Sequence, residues 1–85
     1  MIGTNLELYS EVRSLANIVA GVGRVALAAE LEDALATSTV TGEVLSETRQ
    51  WLLRVRATDL YGRVDVRQRV DEALRYLTLV LGPPR

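Results

Sequence analysis

The sequence predicts an all-α chain: a compact four-helix, bundle-like domain with short connections that associates as a dimer. Three observations carry that expectation. Apolar residues recur at three-to-four spacing in four separate stretches, with no sustained alternation that would mark a strand. Glycine, proline and hydroxyl clusters punctuate those stretches at helix-length intervals. The apolar share is 48%, and it contains one Trp and no Phe, so the core consists mostly of medium-sized Leu, Val and Ala side chains suited to helix packing.

The first helix is expected over about residues 5–20. Thr4 stands three residues before Glu7, the capping-box spacing that satisfies free N–H groups at a helix start. Leu8, Val12, Leu15 and Val19 then share one side, joined by Tyr9 and Ala16. Gly21 and Gly23 interrupt. A single helix running through them would carry Leu27, Leu31 and Leu35 roughly 60–140° away from the Val12 direction and smear the stripe. A turn resets the phase. Gly21-Val22-Gly23-Arg24 lacks the preceding strand that a dinucleotide-binding loop requires, so it reads as the turn itself.

The second helix, about 24–36, gathers Leu27, Ala28, Leu31, Ala34 and Leu35. Thr37, Ser38, Thr39 and Thr41 form a polar connection, with Thr41 as N-cap of a third helix over about 42–57. That helix groups Val44, Leu45, Thr48, Leu52 and Val55. Asp59 and Gly62 mark the next connection, with room for one short turn. Asp65 and Gln68 repeat the capping-box spacing before a fourth helix over about 65–81. Its stripe is Val66, Val70, Ala73, Leu74, Leu77 and Leu81, and Gly82 with Pro83 and Pro84 ends it. Residues 1–82 form one domain, and 83–85 are a short Pro-rich tail.

At 85 residues with no cysteine, the domain has no disulfide staple, so packing or oligomerisation supplies its stability. The chain lacks His, Cys and Lys and carries ten Arg. That removes histidine- or cysteine-based nucleophile systems, the usual zinc and haem ligands, and Schiff-base chemistry. No enzyme and no cofactor is expected. Arg in place of Lys fits a GC-rich, bacterial genome. Residues 1–48 hold two Arg against seven acids (−5), and residues 49–85 hold eight Arg against four acids (+4), giving the net −1. Such a dipolar chain pairs its own halves, or pairs head to tail with a second copy. No signal peptide or bilayer-length apolar run occurs, which places the protein in the cytoplasm.

The remaining clue is apolar surface left off the core stripes. Trp51 and Leu53 flank Leu52 at about 100° to either side, an apolar arc wider than one packing layer needs. Leu79 projects from the fourth helix, with Tyr76 off centre. Aromatic residues beside Arg are typical interface anchors. Trp51, Leu53, Tyr76 and Leu79, with Arg49, Arg54 and Arg75 as polar anchors, are therefore the expected partner-binding residues. Within single helices the arginines do not gather on one face, and Asp71 stands four residues before Arg75 in ion-pair order. Glu30, Glu32 and Asp33 read as a solvated or partner-facing patch, not a metal site. The expected function is protein–protein interaction of adaptor, antitoxin, immunity or regulatory type, through a protein partner or a homodimer. The alternative is nucleic-acid binding by the Arg-rich C-terminal half.

Overall fold

The computed structural model describes residues 2–37 and 39–83 of the chain. It contains helices α1 (Asn5–Gly21), α2 (Val25–Ala36), α3 (Thr41–Arg56) and α4 (Val64–Leu81), with a 3-10 turn at Asp59–Gly62. No strand occurs among the described residues. Ser38, Pro84 and Arg85, placed by the sequence in a connection and in the tail, lie outside them.

Local chemistry sets the helix ends. Thr4 is extended, and its Oγ1 accepts the Glu7 N–H at 3.2 Å while its hydroxyl donates to Glu7 Oε1 at 3.1 Å. Only half of the expected box forms: the Thr4 oxygen caps the Glu7 N–H, while the Glu7 carboxylate takes the cap hydroxyl in place of the Thr4 backbone N–H. At the far end Gly23 adopts φ 95°, its N–H donates to Ala20 O, and the Arg24 N–H donates to Val19 O. This pair of bonds is a Schellman motif, which needs a left-handed residue and finds it in glycine. The turn resets the helix phase as the apolar pattern requires.

Two start signals are corrected. Val40, not Thr41, is the N-cap of α3: its extended backbone presents the carbonyl that accepts the first helical bond, from Val44. Thr41 is already in the helix. Likewise Arg63 occupies the N-cap of α4. Asp65 sits in the first turn, where its Oδ1 accepts the Val66 N–H at 3.0 Å and Arg63 Nε at 3.4 Å. A carboxylate there meets the positive end of the helix without acting as cap. Thr58 caps the 3-10 turn, accepting from the Leu60 N–H and donating to Val55 O.

Each helix packs against two others: α1 on α2, α2 on α3, α3 on α4, and α4 back on α1. Short connections make successive helices antiparallel neighbours. The core holds Leu8, Val12, Leu15 and Val19 of α1, Leu31 and Ala34 of α2, and Val66, Val70, Ala73 and Leu77 of α4. α3 adds Leu45, Trp51, Leu52 and Val55. Thr48 is buried there too, its hydroxyl donating to Val44 O at 2.8 Å, so it enters the core with its polar atom satisfied.

A candidate partner-binding groove

The seven residues expected to meet a partner separate into distinct environments. Trp51 is wholly buried, and its indole N–H donates to Leu27 O at 2.7 Å. It belongs to the monomer core, which corrects its assignment as a surface anchor. The wide apolar arc of α3 has a simpler cause: this helix must cover α2 on one flank and α4 on the other. Tyr76 is likewise buried, and its hydroxyl donates to Asn5 Oδ1 across the α1–α4 seam. Arg54 points to the α2 side and pairs with Glu30 at 3.8 Å. Leu79 is 80% exposed.

Arg49, Leu53 and Arg75 come together. They line a groove of about 290 Å³ between α3 and α4, joined by Arg56, Asp71, Leu74 and Thr78. Helix geometry explains the set. Arg49, Leu53 and Arg56 follow the i, i+4, i+7 pattern on α3, and Asp71, Leu74, Arg75 and Thr78 follow i, i+3, i+4, i+7 on α4. Half-buried Leu53 and Leu74 contribute apolar surface, and three guanidinium groups surround it.

Most of the described cations left over after ion pairing collect here. Arg13 pairs with Glu32, Arg24 with Asp59, Arg54 with Glu30, Arg63 with Asp65, and Arg69 with Glu11. Arg67 stacks over the Tyr61 ring, 5.6 Å from its centroid, and donates to Tyr61 O. Among the described residues Arg49, Arg56, Arg67 and Arg75 are outside any ion pair, and all of these except Arg67 line this groove. Three ion pairs among the described residues join the two halves of the chain. Arg54–Glu30 and Arg69–Glu11 set arginines of the basic half against acids of the acidic half, and Arg24–Asp59 runs the other way, so the dipolar chain partly neutralises itself.

Arg49 is held in place. Its Nη1 donates to Gly82 O at 2.9 Å, tying α3 to the end of α4, while its Nε is shielded from water and has no partner. A guanidinium fixed this way loses less freedom when an anion binds it.

The groove's one carboxylate is engaged from outside. The expected Asp71–Arg75 pair does not form; Asp71 Oδ1 accepts the Tyr61 hydroxyl at 2.6 Å instead. That bond raises the Tyr61 pKa above its ordinary value, helped by desolvation and the Asp71 charge and opposed by Arg67 and Arg56. Asp71 is therefore hydrogen-bonded on its Tyr61 side and makes no ion pair with Arg75.

Arg56 escaped sequence analysis, as did the grouping itself. A single helix projection compares residues along one element, whereas this groove assembles two. The i+7 relation of Arg49 and Arg56 around Leu53 was the available signal.

On the other flank of α4 the surface is acidic: Glu7, Glu11 and Glu72 line a recess with Ile2 and Ser10. Glu30 and Glu32 are split between Arg54 and Arg13, and no cluster of potential metal ligands occurs among the described residues. No described helix is long and apolar enough to cross a membrane. The chain matches no protein-family model, no curated protein and no solved structure.

Proposed function

We propose that this chain is a small helical protein–protein interaction module, working by binding and not by catalysis, whose α3–α4 groove receives acidic side chains of a protein partner. The observation that carries the reading is the convergence of Arg49, Arg56 and Arg75, none of them in an ion pair, around Leu53 and Leu74. Guanidinium groups bind carboxylates through paired, directional hydrogen bonds, and the two leucines supply apolar contact beneath them. An acidic segment with an aliphatic side chain between its carboxylates matches both features. The acidic recess across α4, with Glu7, Glu11 and Glu72, opposes a long polyphosphate backbone, so discrete carboxylates are favoured over nucleic acid.

Titration of the isotopically labelled protein with a glutamate- and leucine-containing peptide, followed by NMR, tests the reading. Shifts are expected at Arg49, Leu53, Arg56, Leu74 and Arg75, and Arg56→Glu with Arg75→Glu should abolish them. Absence of shifts at low salt, or shifts spread evenly over the surface, refutes it. Tighter binding of an oligonucleotide at the same residues would replace it with the nucleic-acid reading.

A further inference from the structure

The charges that remain unpaired in the monomer are segregated by sign. Of the described arginines outside any ion pair, Arg49, Arg56 and Arg75 lie in the α3–α4 groove, and Arg67 stacks on Tyr61. Among the described residues, the carboxylates with neither an ion-pair partner nor a hydrogen-bonded one are Asp33, Glu43 and Glu47, all exposed. Glu43 and Glu47 are one turn apart on the flank of α3 from which Arg54 reaches Glu30. Asp33 lies three residues beyond Glu30, close to one turn along α2. These acids therefore mark the α2–α3 edge, while Arg49 and Arg56 occupy the opposite flank of α3.

We infer that the partner of the groove is a second copy of this chain, which presents its α2–α3 edge so that Asp33, Glu43 and Glu47 meet Arg49, Arg56 and Arg75. The inference rests on the proposed role of the groove and identifies its occupant. Charge complementarity is the argument: Arg49, Arg56 and Arg75, none of them in an ion pair, gather on one surface, and Asp33, Glu43 and Glu47, which have no partner among the described residues, lie on another. The two surfaces differ, so the contact is heterologous and head to tail, and it propagates unless it closes into a ring. Area permits it. A standard interface takes about 800 Å² from each partner, roughly one sixth of the 5079 Å² accessible surface. A molecule measuring 31 × 24 × 22 Å offers a face of that size.

Sedimentation velocity on the full-length chain across a wide concentration range tests this. At about 10 mM salt the Debye length is about 30 Å, and at about 1 M it is about 3 Å. Concentration-dependent assembly is expected in the first condition and its loss in the second. Arg56→Gln with Arg75→Gln removes one surface, and Glu43→Gln with Glu47→Gln removes the other. Each variant alone should associate about tenfold or more weakly than the parent at low salt. Mixed together, they should form a 1:1 complex and nothing larger, because each supplies the surface that the other lacks.

A parent chain that stays monomeric at low salt overturns the inference, with no dependence on how any variant folds. So does a discrete dimer that neither variant weakens, or the lack of any mixed complex. If the parent is monomeric yet binds the glutamate–leucine peptide in the groove, the second copy is wrong and the groove reading stands. If it binds neither, both fall.

Discussion

Replacing Trp51 by Phe distinguishes a core tryptophan from an interface tryptophan. The side chain is wholly buried, and its indole N–H bonds Leu27 O at 2.7 Å. Phe keeps an aromatic ring in the cavity but leaves about 40 Å³ unfilled, worth about 1 kcal/mol at roughly 24 cal/mol per Å³. The lost hydrogen bond removes about 1 kcal/mol more. The total, about 2 kcal/mol, corresponds to a melting-temperature drop of about 8–16 °C for a domain of this size. A chain of this length is stable by about 4–13 kcal/mol, so the variant still folds and the difference can be measured. Leu79→Ser, at a site 80% exposed, should stay within about 0.5 kcal/mol of the parent. Urea unfolding followed by far-ultraviolet circular dichroism measures both, at a salt concentration that suppresses association. Equal losses in the two variants, or a Trp51→Phe loss below about 0.5 kcal/mol, would refute the core assignment and return Trp51 to the surface.

Gly23 holds φ at 95°, so Gly23→Ala should cost about 1–2 kcal/mol. Gly42 lies inside α3 with open space around its Cα, and Gly42→Ala should stabilise by up to about 1 kcal/mol; thermal melting of the pair checks both signs. The Tyr61 phenol, hydrogen-bonded to Asp71 and pushed above its ordinary pKa, is harder to ionise in the folded chain than in the unfolded one. Its contribution is therefore complete below the unfolded value of about 10 and declines as pH rises through the folded value. Ultraviolet titration should show late ionisation of Tyr61, returning towards the ordinary range in Asp71→Asn. In Tyr61→Phe the released Asp71 should pair with Arg75, visible as a shift of the Arg75 Nε–H signal, and weaken peptide binding in the groove; an unchanged Arg75 signal would show that Tyr61 does not hold the two apart.

Several contacts within one helix, or one turn beyond it, were legible in the sequence. The Thr4–Glu7 start, the Gly21–Gly23 reset and the Gly82 stop all rest on bonds between residues fewer than six positions apart. The buried stripes of α1 and α4 follow from periodicity for the same reason. Two helix starts were misplaced by one or two residues, with Val40 and Arg63 in the cap positions, and the other failures depend on which helix lies beside which. Trp51 looked surplus because its stripe was measured against one neighbour, whereas α3 has two flanking partners. Asp71 and Arg75 looked paired because they are four apart, yet Tyr61, ten residues before Asp71, offers a hydroxyl that holds the carboxylate from the 3-10 turn. Arg49, Leu53 and Arg75 were identified individually, but the groove that joins them to Arg56 exists only once α3 and α4 are side by side.

The groove's composition also limits how it can bind. Three charge pairs at a solvent-exposed rim contribute about 0.2–1 kcal/mol each, far short of the roughly 8 kcal/mol that a micromolar complex requires. The arginines therefore cannot be the main source of affinity. Leu53 and Leu74, half-buried in the monomer, retain apolar surface that a partner can cover, and further area must come from the helix faces around them. Arginines around such a centre give orientation and a faster encounter, and they disfavour partners with like charge. Arg49 contributes most to orientation, because its bond to Gly82 O fixes the guanidinium before anything binds. Loss of Leu53 should consequently shorten the lifetime of a complex, whereas loss of Arg56 or Arg75 should slow its formation and flatten its dependence on salt.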